Sequence, residues 1–480
     1  MNYQDYKNKN PLTVVIFGAT GDLAKNKILS ALLDLHIKGM LGPHYRVVGY
    51  SRKDLSDSDY RQFARTAIIE KNKIVAEDVL EAFLKKVTYL RGDLDNVDDY
   101  KSLRQNLVAY DNELGTCTNK IYYLAVPPTM YEKIFNGLDK GDLVLSCKKP
   151  GIDSWTRILV EKPFGNDLEQ ARLLDKKLGS LFDESQIFRI DHYLAKEAVQ
   201  NIISFRFANA IFEPLWNNEY IDRVEIKLFE KNTPESRINF YDKVGALRDV
   251  GQNHVLQMLA LIAMEDPGGI TSNKIREARE KVLGQIVPYS RKVDNYAYRA
   301  QYNGYREIDP AFKNSETETY FRVKLNIKNK RWDRVPFIIE SGKGLNESRV
   351  EVNIVFKDKT SSVCQIDEIC RYNNQIKINI QPEEKISLCF WTKKPGLSFE
   401  LEQRDLAFNF SEDNLPVTDA YEKVLYDCIH GDSTLFTSTE EVLREWGIIE
   451  KICADWKNVP LEHYDLGMNP DDLKILEEKI

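Results

Sequence analysis

At 480 residues the chain is long for one compact domain and is most simply read as two. Hydrophobic residues make up 42% and charged residues 29%, an ordinary balance for a globular protein. A net charge of −7 argues against a nucleic-acid or anionic-membrane surface, so any phosphate must meet a local basic pocket in an acidic protein.

Seven cysteines (117, 147, 364, 370, 389, 428 and 453) and six histidines are scattered without metal-ligand spacing. That pattern fits a reducing cytosol and no structural zinc. Met1–Asn10 is polar, without the apolar core of a signal peptide. No apolar run reaches the ~18 residues a membrane span needs, so the expected location is cytoplasmic.

Thr13–Phe17 is a continuous apolar run, as expected of a buried parallel strand. It ends in Gly18-Ala19-Thr20-Gly21-Asp22-Leu23, after which Ile28, Leu29, Leu32 and Leu33 take helical spacing. Strand, glycine turn and helix together offer backbone N–H groups to a pyrophosphate. Alone, the Gly-x-x-Gly spacing also fits a tight turn in which the glycines serve only φ. A second strand, Tyr45–Tyr50, ends at Ser51-Arg52-Lys53. Arg at that position accommodates a 2′-phosphate, favouring NADP over NAD, although a surface arginine is the plain alternative.

A helical stretch from Tyr60 to Leu84 leads to Val87–Leu90 and Gly92-Asp93, and Asp93 joins the expected cofactor-binding residues. Further strands at Ile121–Val126 and Ile158–Val160 alternate with helical patterns, the second at 168–181, which marks a doubly wound sheet. Lys162, at a strand end before Pro163, is placed to reach both nicotinamide and sugar. Gln186-Ile187-Phe188 then runs into Arg189-Ile190-Asp191-His192-Tyr193-Leu194-Ala195-Lys196-Glu197. His192 and Lys196 fall on one face if a helix has begun, and two cations suit a phosphate. By periodicity alone, a solvated helix start serves equally.

Past Asn201 the texture changes. Ile221–Glu230 alternates like a half-exposed strand, and Tyr241–His254 runs into an apolar helix to Ile262. A lone His in such a helix is usually a satisfied core residue. Strands are expected at Tyr320–Ile327, Val335–Glu340, Arg349–Phe356, Ile376–Ile380 and Lys385–Thr392, with helices from Ala420 to Lys457.

The nine-residue block at 189–197 resembles the signature of the glucose-6-phosphate dehydrogenase family, with Ala195 where Gly is usual. The turn at Gly18–Ala24, Glu161-Lys162-Pro163, Arg248-Asp249…Gln252-Asn253-His254, Arg331-Trp332…Ser341-Gly342-Lys343, Gln381-Pro382 and Asp419-Ala420-Tyr421-Glu422 match in family order.

The resemblance implies a Rossmann NADP-binding domain, residues 1–187. It further implies a domain for substrate and dimerisation, 188–480, on a large mostly antiparallel sheet with helices. It implies oxidation of D-glucose 6-phosphate to the 1,5-lactone, with His254 as base and Asp191 orienting it. His192, Tyr193 and Lys196 would take the phosphate, and Glu230, Asp249 and Lys343 the ring hydroxyls or phosphate, with Lys162 beside them. Pairing as a homodimer or homotetramer is expected. Asn26, Glu340 and Ser348 depart from the family's basic residues: Asn26 implies some use of NAD, and Ser348 a weaker grip on the phosphate. A sugar dehydrogenase of the glucose–fructose oxidoreductase type, and a non-catalytic sensor of NADP or sugar phosphate, are the alternatives.

Overall fold

The computed structural model describes residues 11–71, 75–145, 147, 153–358, 372–410, 418–456 and 459–473. The polar start at 1–10, Cys364, Cys370 and Lys457 lie outside them. The chain divides into one unit of residues up to 195 with 418–439, and another of 196–417 with 440–480.

In the first unit, β1 (Leu12–Phe17), β2 (Tyr45–Ser51), β3 (Val87–Arg91), β4 (Asn119–Leu124), β5 (Thr156–Val160) and β6 (Ile187–Ile190) form a parallel sheet. Their order is 6-5-4-1-2-3. Every residue of β1 and β4 is buried, which is why Val14–Phe17 and Ile121–Leu124 read as unbroken apolar runs rather than alternating ones. The order reverses between β1 and β4, which opens a crevice at their carboxyl ends. The helix Asp57–Ile69 starts at a reciprocal Ser56/Asp59 capping box, and Leu168–Gly179 starts at Asp167. The latter ends two residues short of the expected Leu181, within the fraying of a helix end.

Two features depart from expectation. The first unit runs past the expected division after residue 187, because β6 pairs in parallel with β5, Ile158 facing Ile187. It also takes back 418–439, whose Phe436–Thr437 pairs antiparallel with β6. Such a long-range return leaves no local trace in sequence. Secondly, Cys117 and Cys147 are joined as a disulfide with Cα atoms 5.7 Å apart, which the reading of a reducing cytosol did not anticipate.

The second unit is built on β7 (Ile221–Phe229), β8 (Ile286–Pro288), β9 (Ala297–Tyr302), β10 (Tyr320–Ile327), β11 (Phe337–Gly342), β12 (Arg349–Phe356), β13 (Gln375–Gln381), β14 (Lys385–Lys393) and β15 (Leu401–Asn409). After β16 (Phe436–Thr437) of the first unit comes β17 (Glu462–Tyr464). These make a 10-stranded sheet in the order 15-14-13-12-7-11-10-9-17, with β8 on β10. The pairings are antiparallel except β11 on β7 and β17 on β9. In β7, Val224, Ile226 and Leu228 are buried while Arg223, Glu225 and Lys227 are half-buried, the alternation read from sequence. β11 begins at Phe337, not Val335, since Pro336 has no N–H to give a ladder. Strands β8, β9, β15 and β17 were not expected. β8 and β17 are three residues each, β15 is mostly exposed on both faces, and β9 is almost wholly buried and so shows no alternation.

Candidate active site

The glycine turn after β1 is shaped by close approach. Gly18 sits at φ +80°, and a Cβ there would lie 2.4 Å from the Ala125 carbonyl at the end of β4. Only glycine fits both demands. The turn is tied to β2 by Gly18 N–H donating to Tyr50 C=O (3.0 Å), and closed by Gly21 N–H donating to Gly18 C=O (2.9 Å). Thr20 and Ser51 hydroxyls meet at 2.9 Å, while Gly21 and Asp22 are exposed and Leu23 half-buried. The helix that follows opens with a π-turn, Ala24–Ile28. Arg52 and Lys53 are exposed just past β2. A glycine turn of this kind can take a pyrophosphate, and a cation past the second strand can take a 2′-phosphate. Asp93 lies at the outer edge, where its Oδ1 accepts the N–H of Asp95 (3.0 Å).

Lys162 lies just past the end of β5, next to a residue not singled out from sequence, Glu161. That carboxyl is 8% exposed and accepts the Tyr123 hydroxyl at 2.7 Å. Its backbone C=O takes the Tyr131 hydroxyl at 2.6 Å. Burial pushes its pKa up to about 7, against the opposing Tyr123 hydrogen bond and the Lys162 charge. A Glu closing an otherwise apolar strand was the available signal.

The 189–197 block does not form a helix at once. The helix starts only at Glu197, so the shared face expected for His192 and Lys196 is absent. Instead Asp191, 3% exposed, folds the chain: Oδ1 accepts Tyr193 N–H (3.0 Å) and its C=O accepts Leu194 N–H (3.1 Å). Asp and its two following residues make a tighter turn than a helix allows, because the side chain competes for backbone donors. Arg189 is structural, buried against Asp175 (2.7 Å) and Glu184 (3.0 Å). His192 lies 5.2 Å from the Tyr193 ring and stacks at 6.2 Å on Tyr421, over which Lys27 sits at 5.5 Å. Tyr421 and Lys27 were not proposed from sequence, because their meeting needs the 418–439 return.

In the second unit, Lys196 Nζ stands 3.9 Å from Glu384, whose other oxygen accepts Ala198 N–H (2.7 Å). Lys343 is 3% exposed, with Nζ against the Glu230 carboxylate and 3.2 Å from Asp249. Asp249 also takes both prongs of Arg237 at 2.9 and 2.8 Å. Two cations and two anions leave this group neutral, which suits sugar hydroxyls better than a phosphate dianion. Arg349 is engaged by Asp471 (3.0 Å), and Ser348 Oγ accepts Lys231 N–H (3.0 Å). Glu340, 3% exposed, takes the Tyr320 hydroxyl and lies 3.6 Å from Arg322.

His254 is 2% exposed and lies in a π-helix, Leu247–Val255, inside what reads as one regular helix. The same π-helix carries Asp249, five residues before His254, so the histidine shares a helix with one partner of Lys343. Gln252 and Gln257, on either side of it, both donate to buried Glu445, at 3.2 and 2.5 Å.

The family model for the NAD-binding domain of glucose-6-phosphate dehydrogenase matches residues 15–201, and that for its C-terminal domain matches 203–478. Glucose-6-phosphate 1-dehydrogenase of Chlamydia pneumoniae is 37% identical, covering 93% of this chain and 90% of that protein. A cytoplasmic form from Arabidopsis thaliana is 36% identical over 97% of this chain and 91% of its own. A solved glucose-6-phosphate dehydrogenase in complex with glucose 6-phosphate superposes with a TM-score of 0.88 at 32% identity, covering 97% of each chain. A levoglucosan dehydrogenase shares the fold alone, with a TM-score of 0.50 at 11% identity. No helix among the described residues is long and apolar enough to cross a membrane. With both family models and near-full-length relatives in agreement with the glycine cradle, the Asp191 turn and the His254 helix, the chain belongs to the glucose-6-phosphate dehydrogenase family.

Proposed function

We propose that this chain oxidises D-glucose 6-phosphate to 6-phospho-D-glucono-1,5-lactone with NADP, the entry step of the oxidative pentose phosphate pathway. The observation that carries the reading is the π-helix Leu247–Val255, which bears both a buried His254 and Asp249, an ion-pair partner of Lys343.

Oxidising a hemiacetal needs a base for the C1 hydroxyl, and a neutral imidazole serves at pH 7. His254 takes that proton, and Asp191 orients the ring and steadies the imidazolium, as the carboxylate of a catalytic triad does. A bound nicotinamide would supply the acceptor for the C1 hydride. His192, Tyr193 and Lys196 hold the 6-phosphate, while Glu230, Asp249 and Lys343 hold ring hydroxyls and Lys162 steadies the reacting end. The Gly18–Leu23 backbone receives the pyrophosphate, with Asp93 at the rim, and Arg52 the 2′-phosphate. With substrate deuterated at C1, the label should pass to the reduced cofactor; its appearance in water would contradict direct hydride transfer.

The assembly we propose is a homodimer through the large sheet, in the cytoplasm. Its support is β15, the last strand of the sheet among the described residues, where Leu406 is 66% and Phe408 57% exposed, apolar side chains two apart on one face. Sedimentation should show two copies per particle, and Phe408→Lys should shift it toward one. A monomeric wild type would refute the pairing.

A further inference from the structure

Lys343 is gripped at both ends of its backbone. Its N–H donates to the Thr319 C=O (2.9 Å), and its own C=O accepts the Tyr464 hydroxyl (2.6 Å). Tyr464 closes β17, which pairs in parallel with β9, Tyr464 facing Tyr302.

The Tyr464 hydroxyl is itself oriented. Tyr302 N–H donates to Thr319 Oγ1 at 2.9 Å, and Thr319 Oγ1 lies 2.9 Å from Tyr464 Oη. With the Tyr464 proton on the Lys343 C=O, the Thr319 hydroxyl is the donor to Tyr464; the Thr319 C=O, 3.3 Å from Tyr464 Oη, is a longer second acceptor for the same proton. Burial pushes the Tyr464 pKa up, which keeps the donor protonated.

The chain after Tyr464 stays on the same loop. Gly467 N–H donates to Gly344 C=O (2.7 Å), Asn346 N–H donates to Met468 C=O (3.1 Å), and Asp471 pairs with Arg349 (3.0 Å). Gly344 sits at φ +68°, and a Cβ there would come within 2.6 Å of Leu466. Loop and segment therefore fit only while each holds its place.

We propose that residues 462–471 form a positioning strap for Lys343, with Tyr464 as its principal positioning residue. The strap holds the ammonium between Glu230 and Asp249, so it governs grip on the sugar without touching it. This rests on the reading of Lys343 as a substrate contact.

Tyr464→Phe keeps the ring, which packs 5.9 Å from Tyr320, and removes only the hydroxyl. It should raise KM for glucose 6-phosphate about tenfold, as losing one buried donor to a carbonyl implies. KM for NADP should stay within about twofold. Lys343→Ala should raise the sugar KM further, and the double variant should be no worse than Lys343→Ala alone, because both changes act through one side chain. Arg349→Ala, at the far end of the strap, gives a second and milder probe, with a smaller rise in the same KM.

If Tyr464→Phe and Arg349→Ala lower only the melting temperature, or raise both KM values alike, while Lys343→Ala damages the sugar KM, the strap is overturned and the Lys343 reading stands. A silent Lys343→Ala overturns that reading and the strap with it.

Discussion

The glycine turn after β1 and the charged group around Lys343 are built in opposite ways. The turn offers a glycine-lined backbone, its Gly18 and Gly21 N–H groups bonded within the turn and to β2, and an exposed Arg52 just past β2. The Lys343 group has its cations already paired: Lys343 with Glu230 and Asp249, and Arg237 with Asp249. An open cation supplies affinity for a phosphate. A paired and buried one supplies geometry, since moving it uncovers two carboxylates. The first region should therefore lose binding when altered, and the second should lose rate or sugar recognition.

The largest effect should come from the second region. His254→Asn should cut kcat by roughly 10²–10⁴-fold, the usual contribution of a positioned base, with KM little changed. Activity within a few fold of wild type would mean the base is elsewhere. In the first region Arg52→Ala should raise KM for NADP about tenfold and leave that for NAD nearly untouched, since only one cofactor has the 2′-phosphate. Equal losses with both cofactors would make Arg52 structural and break the contrast.

The smallest effect concerns stability at the Lys162 strand end. The folded pKa of Glu161, about 7, lies above its ordinary 4.5. Native protein therefore holds a proton that the unfolded chain releases, and stability falls as pH rises through that window. Glu161→Gln keeps a neutral partner for Tyr123 and should gain about 1–3 kcal/mol at pH 8 relative to pH 5. Asp427, also pushed to about 7 by burial, keeps part of the slope. Parallel melting-temperature profiles for wild type and variant would show that Glu161 ionises without cost.

The two regions also differ in how far they could be read beforehand. The glycine cradle is local: Gly18, Gly21 and Arg52 lie within two strand–turn units, so apolar runs and turn chemistry exposed them. The parallel sheet was legible for the same reason. The Lys343 group draws on residues 230, 237, 249 and 343, and its strap on 464 to 471, joined by a sheet whose register no local pattern states. Resemblance to the family supplied Glu230, Asp249 and Lys343, yet not Arg237 or Tyr464. The Asp191 turn was misread as a helix start because Asp is common at both, and only the chain beyond decides which forms.

The central claim is that one region selects the nucleotide and the other the sugar phosphate. It is tested most directly by initial rates of nicotinamide reduction with NADP or NAD, each against glucose 6-phosphate or glucose. The account predicts rapid reduction with NADP and glucose 6-phosphate, slower reduction when NAD replaces NADP, and almost none with glucose. Equal rates with glucose and its 6-phosphate, or no reduction with any pair, would contradict it.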